Sequence, residues 1–119
     1  MARYVDGFLV PVPSNNVEAY RKLARKAGKI WMEYGALEYV ECIADDVKPG
    51  KFTSFPQSVK QKADETVAFS WIVYKSRKHR DAVNAKVMAD PRIAAMHPKT
   101  MPFDAKRMMF GGFKSIVEF

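Results

Sequence analysis

The stretch YKSRKHRDAV, residues 74–83, combines a histidine with three cations at a predicted helix start. Ser76 is a favourable N-cap residue, so the first helical turn would contain Arg77, Lys78, His79 and Arg80. The positive end of the helix dipole disfavours each cation there by roughly 0.3–1 kcal/mol at low salt. The pattern therefore predicts nearby carboxylates or a bound anion that offsets this charge.

The face of this helix that carries the histidine is predicted to point inward. The residues at helical spacing from His79 are Ala82, Val83 and Lys86. The residues roughly opposite are Arg77, Asp81 and Asn84. An inward His79 is a candidate general base or a partner for a carboxylate or enol oxygen, and Lys86 is a candidate anion contact. The alternative is a histidine that only makes a local hydrogen bond.

Glu41 and Tyr39 form a second candidate group on the predicted strand ALEYVECIA, on one face with Leu37 and Ile43. A carboxylate in apolar surroundings has a raised pKa and can serve as an acid or base. Both residues are therefore candidate catalytic partners of the histidine. The alternative is an ion pair between Glu41 and Arg107, because buried charges are rarely left unpaired.

Three further side chains are candidate ligand contacts: Trp71, Asp104 and Arg107. Arg107, like Lys86, would hold the negative charge of a ligand. Each has a structural alternative, which is a core position for Trp71, a turn cap for Asp104 and an ion pair for Arg107.

Metal and cofactor chemistry is not predicted. The two histidines, His79 and His97, lie outside any spaced ligand motif. The lone Cys42 excludes an intramolecular disulfide, suits a reducing compartment and is predicted to be a small buried apolar side chain. We expect no metal site and no cofactor.

A basic helical face offers a different function. The first long helix is predicted to expose Arg21, Lys22, Arg25, Lys26 and Lys29, close to Arg77 and Lys78. With a formal net charge of +7, this face could bind RNA phosphates without sequence preference. A solvated surface is the simpler interpretation, and nucleic acid is the alternative partner.

The chain of 119 residues is long enough for one domain, residues 1–119, and its 48% apolar content predicts a packed core. The N-terminal stretch MARYVDGFLVPVP carries Asp6 and two prolines, which is unlike a signal peptide. No apolar run is long enough for a membrane span. We expect a cytoplasmic protein without membrane contact.

The elements that must position these residues follow the order β-α-β-β-α-β. A first strand, RYVDGFLVPVP, is predicted to stop at Pro11 and Pro13. A long helix follows, with Asn15 and Glu18 as a capping box and Gly35 past its end. The strands ALEYVECIA and TVAFSWIVY flank a polar insertion with one or two helical turns. A second helix runs from Ser76 to about residue 90, and a final strand lies around residues 106–119. This order predicts a ferredoxin-like α+β fold.

Both faces of the third predicted strand are largely apolar. Val67, Phe69, Trp71 and Val73 alternate with Ala68, Ser70, Ile72 and Tyr74. Two helices cover only one face of a four-stranded sheet, so a second copy of the sheet is the economical cover for the other. We therefore expect a homodimer that forms a dimeric α/β barrel.

Several stretches resemble the YbaA-like family of small bacterial proteins, a domain of unknown function. They are YVDGF, GALEYVEC, TSFP, FSWIVYKSRKHRDAVNAKVMADPR and MPFDAKRMMFGGF. The resemblance implies a ferredoxin-like protomer and a dimeric α/β barrel. It implies no catalytic residues, because the family has no agreed ones. The wider dimeric-barrel superfamily contains cofactor-free monooxygenases, lactone isomerases and haem enzymes, so it does not point to one chemistry.

The functional hypothesis is a homodimer that binds a small, partly apolar, anionic metabolite between sheet and helices. Catalysis, if present, would be a cofactor-free proton transfer, isomerisation or monooxygenation with His79 as the base. The alternatives are non-specific RNA binding and a purely structural interaction module.

Overall fold

The computed structural model describes residues 2–119, so residue 1 of the expected domain lies outside the described part. The strands are β1 (Tyr4–Pro13), β2 (Glu38–Ile43), β3 (Glu65–Tyr74) and β4 (Met109–Lys114). The helices are α1 (Val17–Glu33), α2 (Phe55–Ser58), α3 (Arg77–Met88) and α4 (Pro91–Ala94). Short 3-10 turns occur at Ser14–Asn16, Pro98–Thr100 and Ala105–Arg107.

The four strands form one antiparallel sheet in the order β2-β3-β1-β4. This is the ferredoxin-like arrangement, and the predicted fold class is confirmed at that level. The register pairs Asp6 of β1 with Ile72 of β3, and Glu41 of β2 with Ser70 of β3. Because directly paired residues share a face, both carboxylates lie on the same side of the sheet.

β1 continues through Pro11 to Pro13, contrary to the prediction that the prolines end the strand. Proline cannot donate to a β ladder. However, β4 pairs with β1 only as far as Leu9. Within residues 2–119, no strand pairs with β1 on the β4 side beyond that residue, so a missing N–H there leaves no ladder position empty.

α1 begins differently from the prediction. A 3-10 turn precedes it, and Asn16, not Asn15, is the N-cap, with no side-chain capping bond. The predicted capping box is therefore absent from the described structure. The other end agrees with the prediction, since Gly35 has φ +110 just past the helix and supplies a backbone conformation that other residues rarely adopt.

α3 is capped as predicted, because the Ser76 hydroxyl accepts a hydrogen bond of 3.1 Å from the His79 N–H. Its buried face differs from the prediction by about one residue. The side chains that turn inward are Arg80, Val83, Asn84 and Val87, whereas Ala82 and Lys86 are exposed. The sheet explains this rotation, since it offers polar partners to Arg80 and Asn84 that hydrophobic periodicity does not reveal.

The two long helices, α1 and α3, cover one face of the sheet and form the core there. One cluster comprises Ile30, Ala36, Ile72, Tyr74, Val83 and Val87, and the other comprises Val10, Val12, Tyr20, Ala24 and Ala68. Among the described residues, no helix is long and apolar enough to cross a membrane.

The opposite face of the sheet, here called the open face, is covered at one end by α2, where the Phe55 ring meets the Phe69 ring edge-on at 6.1 Å. It presents the side chains of Val5, Leu9, Val67, Phe69, Trp71, Val73, Met109 and Phe113. Phe69 is 44% exposed, Met109 46% and Phe113 65%. This face is apolar and partly open to solvent, as the alternation in β3 predicts.

Candidate ligand-binding site

A cavity of about 430 Å³ lies between the sheet, α1, α3 and the segment 93–108. Its wall is mainly apolar, with methionines at positions 88, 96, 101 and 108. Aromatic pairs frame it, since Phe8 stacks on Phe110 with ring centroids 6.3 Å apart and Tyr20 meets Phe103 edge-on at 5.7 Å. Unbranched methionine side chains adapt to irregular shapes, so this wall suits an apolar ligand.

Glu41 is the polar centre of one side of the cavity. The Tyr20 hydroxyl donates to its Oε1 at 2.7 Å, and the Tyr39 hydroxyl donates to its Oε2 at 2.8 Å. Burial, reinforced by the Glu41 charge, raises the pKa of both phenols, so both hydroxyls stay protonated and remain donors. The two tyrosines therefore hold the carboxylate in one orientation.

The close approach of α1 to β2 supports this group, here called the Tyr20–Glu41–Tyr39 cluster. Gly28 of α1 lies directly over the Tyr39 ring, and a Cβ at that position would be 2.8 Å from it. The ring of Trp31 lies 6.2 Å from the same tyrosine, centroid to centroid. A glycine in the helix thus allows the Tyr39 ring to lie against the helix and its hydroxyl to reach Glu41.

Asp6 and Arg80 form the second polar group of the cavity. The Arg80 Nη1 donates to Asp6 Oδ1 at 3.1 Å, and the guanidinium lies 4.9 Å from the centre of the Tyr4 ring. Burial raises the pKa of the Asp6 carboxyl, and the Arg80 charge opposes that shift. This ion pair and the contacts of Asp81 with Arg80 and Arg77, at 2.9 and 4.0 Å, offset the positive first turn of α3.

Of the predicted catalytic residues, the structure brings Tyr39 and Glu41 together and leaves His79 elsewhere. The His79 Nδ1 accepts a hydrogen bond of 3.0 Å from the Lys75 N–H, and the ring meets Tyr74 edge-on at 5.9 Å. His79 does not line the cavity. This geometry matches the local-hydrogen-bond alternative.

The predicted ion pair between Glu41 and Arg107 is wrong. Arg107 lies in a 3-10 turn rather than on the last strand, and its guanidinium binds Glu65 through two bonds of 2.6 and 2.7 Å. It also donates to Asp104 at 2.9 Å. Asp104 in turn caps the turn by accepting from the Lys106 N–H, so neither residue reaches the cavity.

Two other predicted ligand contacts also lie away from the cavity. Lys86 is exposed on the outer side of α3. Trp71 lies on the open face, where its Nε1 donates to Glu38 at 2.9 Å. Neither side chain contributes to the lining.

Sequence reasoning missed Tyr20, Asp6, Arg80 and Asn84 as lining residues. Asn84 accepts hydrogen bonds from the Trp31 Nε1 at 3.0 Å and the Tyr74 hydroxyl at 3.2 Å. The sequence could have singled out Asp6, because a carboxylate in an apolar first strand requires a partner. The sequence does not identify that partner, Arg80, which lies 74 positions away.

A second depression, here called the outer groove, runs between α1 and the free edge of β2, with a volume of about 460 Å³. Arg21, Arg25 and Lys29 lie along its α1 side, and the Tyr20–Glu41–Tyr39 cluster separates it from the cavity. Cys42 also lines it and is exposed, so the prediction of a buried cysteine is wrong in this chain.

The sequence model of a family described as "Protein of unknown function (DUF1428)" matches residues 3–105. The chain belongs to the DUF1428 family. It is 51% identical over 116 residues to the uncharacterized protein YbaA of Escherichia coli K12, covering 98% of each chain. The Shigella flexneri protein of the same description shows the same identity and coverage. The predicted family is therefore confirmed.

Solved structures place this DUF1428 chain among ferredoxin-like folds. An uncharacterized NIPSNAP domain protein from Burkholderia xenovorans superposes with a TM-score of 0.59 at 17% identity, over 92% of this chain and 91% of that one. A dimeric ferredoxin-like protein from an uncultured marine organism gives the same TM-score at 11% identity over 100% of both chains. At these identities the likeness concerns the fold alone.

Proposed function

We propose that the protein binds a small organic molecule in the cavity between sheet and helices. The observation that carries this proposal is the Tyr20–Glu41–Tyr39 cluster at the edge of a largely apolar cavity of about 430 Å³. Ligand sites typically combine such an apolar wall with a few convergent polar groups. The carboxylate is oriented by both phenols, and it retains acceptor capacity for a ligand.

The lining favours a ligand that donates hydrogen bonds over the anionic metabolite expected from sequence. Two carboxylates, Asp6 and Glu41, line the cavity against one guanidinium, that of Arg80. Arg80 is engaged by Asp6 and Asp81. An anionic group would therefore meet an uncompensated carboxylate and no free cation.

Glu41 also takes over the role of general base that the sequence assigns to His79. Its carboxylate would accept a proton from an acidic carbon or hydroxyl of the bound molecule and return it to another atom of that molecule. Such an isomerisation needs no cofactor. The two tyrosine hydroxyls would keep the carboxylate oriented between the two transfers.

The test is a fragment screen by ligand-observed NMR with a variant that fills the cavity. Ala27 lines the cavity, so Ala27→Phe should abolish fragment binding. Ala19→Phe on the exposed side of α1 is the matched control and should leave binding intact. An absence of fragment hits, or equal hits for both variants, would overturn the proposal.

Self-association through the open face is a second part of the proposal. The exposed Phe69, Met109 and Phe113 form an apolar surface on one side of the sheet, and large apolar surfaces of this kind mark interaction sites. One structurally similar ferredoxin-like protein is described as dimeric. A second copy placed on this face would produce the dimeric barrel expected from sequence.

Non-specific polyanion binding is the second candidate function. The five predicted cations of α1 are all exposed, and within residues 2–119 only Arg21 among them has an acidic partner, Glu18 at 3.2 Å. Binding of single-stranded RNA should then fall steeply between about 50 and 200 mM salt. A double Arg25→Glu, Lys26→Glu variant should bind more weakly. No binding by the wild type at low salt would exclude this function.

A further inference from the structure

The charge of Glu41 is balanced differently from the charges of the three buried acids. Asp6, Glu65 and Asp90 each have an arginine partner, namely Arg80, Arg107 and Arg92. Among the ion pairs of residues 2–119, none involves Glu41. Its two oxygens receive hydrogen bonds from neutral phenols only.

The side chains around this carboxylate are aromatic. The rings of Tyr20, Trp31, Tyr39 and Phe103 line the same cavity, and two of them donate to Glu41 itself. The faces of aromatic rings attract cations, most strongly where water is excluded. A carboxylate beside such rings provides the two attractions that recognise an organic cation.

The positive net charge of the whole chain does not oppose this recognition at short range. Arg21, Arg25 and Lys29 lie in the outer groove, on the far side of the Tyr20–Glu41–Tyr39 cluster. They are exposed to solvent, where water and salt weaken their electrostatic interactions, and they do not line the cavity. Inside the cavity the nearest unpaired charge is that of Glu41.

We propose that the ligand of the cavity is an organic cation, an amine or quaternary ammonium on an apolar body. Its positive nitrogen lies against the Glu41 carboxylate and the rings of Tyr20, Trp31 and Tyr39, and its body lies along the methionine wall. This inference rests on the proposed ligand-binding function and adds the charge of the ligand.

The test compares two probes of equal shape, phenyltrimethylammonium and tert-butylbenzene, by saturation-transfer NMR and competition titration. The wild type should bind the cation about tenfold more tightly than its neutral isostere. Glu41→Gln should abolish that preference by weakening the binding of phenyltrimethylammonium to about the affinity of tert-butylbenzene. Glu38→Gln is the matched control, because Glu38 lies on the same strand and faces the opposite side of the sheet, and it should keep the preference.

The outcomes separate the two proposals. Equal affinity of the wild type for both probes would overturn the cation assignment and leave the cavity as a binding site. An absence of binding by both probes would overturn both proposals. A preference that survives in folded Glu41→Gln would assign the recognition to another residue. The wild-type comparison of the two probes decides the ligand charge even where that variant does not fold.

Discussion

Arg80 connects the first turn of α3 to the first strand through a largely buried ion pair. Asp6 is 6% exposed, and its partner guanidinium also donates to the Tyr4 hydroxyl at 3.3 Å. An isolated buried charge costs several kcal/mol, whereas a paired one is tolerated. The pair therefore holds α3 against β1 only while both members are present.

Asp6→Asn should destabilise the fold by about 2–3 kcal/mol. This is at or below the lower end of the range of destabilisation for broken buried ion pairs, because the Arg80 side chain keeps 21% exposure. The measurement is the free energy of urea unfolding at neutral pH. Arg77→Gln, which breaks an exposed contact of 4.0 Å with Asp81, is the control and should change stability by less than about 0.5 kcal/mol. Equal effects of the two variants would contradict the assigned role.

Glu65 should make the fold sensitive to acid. Hydrogen bonds from Arg107 hold the pKa of its carboxyl below the ordinary value of 4.5. The folded chain therefore binds fewer protons than the unfolded chain near that pH, so this stabilisation is present above pH 4.5 and is lost as the pH falls through the folded pKa.

Glu65→Gln should therefore flatten the loss of stability between about pH 5 and pH 3, measured by urea unfolding. Arg107→Gln removes the cause of the pKa shift and keeps the titrating group, so it should also reduce the loss of stability over the same pH range. If both variants lose stability at acid pH as the wild type does, this ion pair does not control the sensitivity of the fold to acid.

At the scale of the elements, sequence patterns predicted the two faces of β3 correctly and the rotation of α3 poorly. Alternation in β3 identifies both of its faces, because each strand residue can point in only two directions. In a helix, neighbouring faces differ by 100° per residue, and Val83 belongs to both candidate faces of α3. The polar partners Asp6, Trp31 and Tyr74 decide between them, and local sequence does not contain those contacts.

The rotation of α3 can be checked with two single substitutions. Asn84→Ala removes the acceptor shared by Trp31 and Tyr74 and should cost about 2–3 kcal/mol, because two donors in partly buried hydrogen bonds lose their partner. Lys86→Ala on the exposed side should change stability by less than about 0.5 kcal/mol. The rotation predicted from sequence requires the opposite order of effects in thermal or urea unfolding.

For the whole molecule, the sequence predicted the fold and left most of the cavity lining unassigned. The order of strands and helices follows from local periodicity and from a small set of allowed connections. The cavity depends on long-range contacts, such as the Tyr20 hydroxyl with Glu41 and the meeting of Phe8 with Phe110. Such contacts involve residues far apart in sequence, and periodicity carries no information about them.

The open face makes a prediction about assembly. If a second copy covers it, the wild type should have the mass of a dimer in size-exclusion chromatography with light scattering, and Phe69→Asp should shift it to a monomer. Phe52→Asp is the control, because this phenylalanine is 89% exposed and precedes α2 rather than lying on the sheet. A monomeric wild type, or a Phe69→Asp variant that stays dimeric, would contradict this arrangement.

The exposed Cys42 gives the protein a built-in labelling position. It is the only thiol of the chain, it is adjacent to Glu41, and it pairs with Phe69 across the sheet. A maleimide dye attached there needs no engineered cysteine. Because Cys42 faces the side of the sheet opposite to Glu41, the rate of dye attachment measures how often this edge of the open face is uncovered.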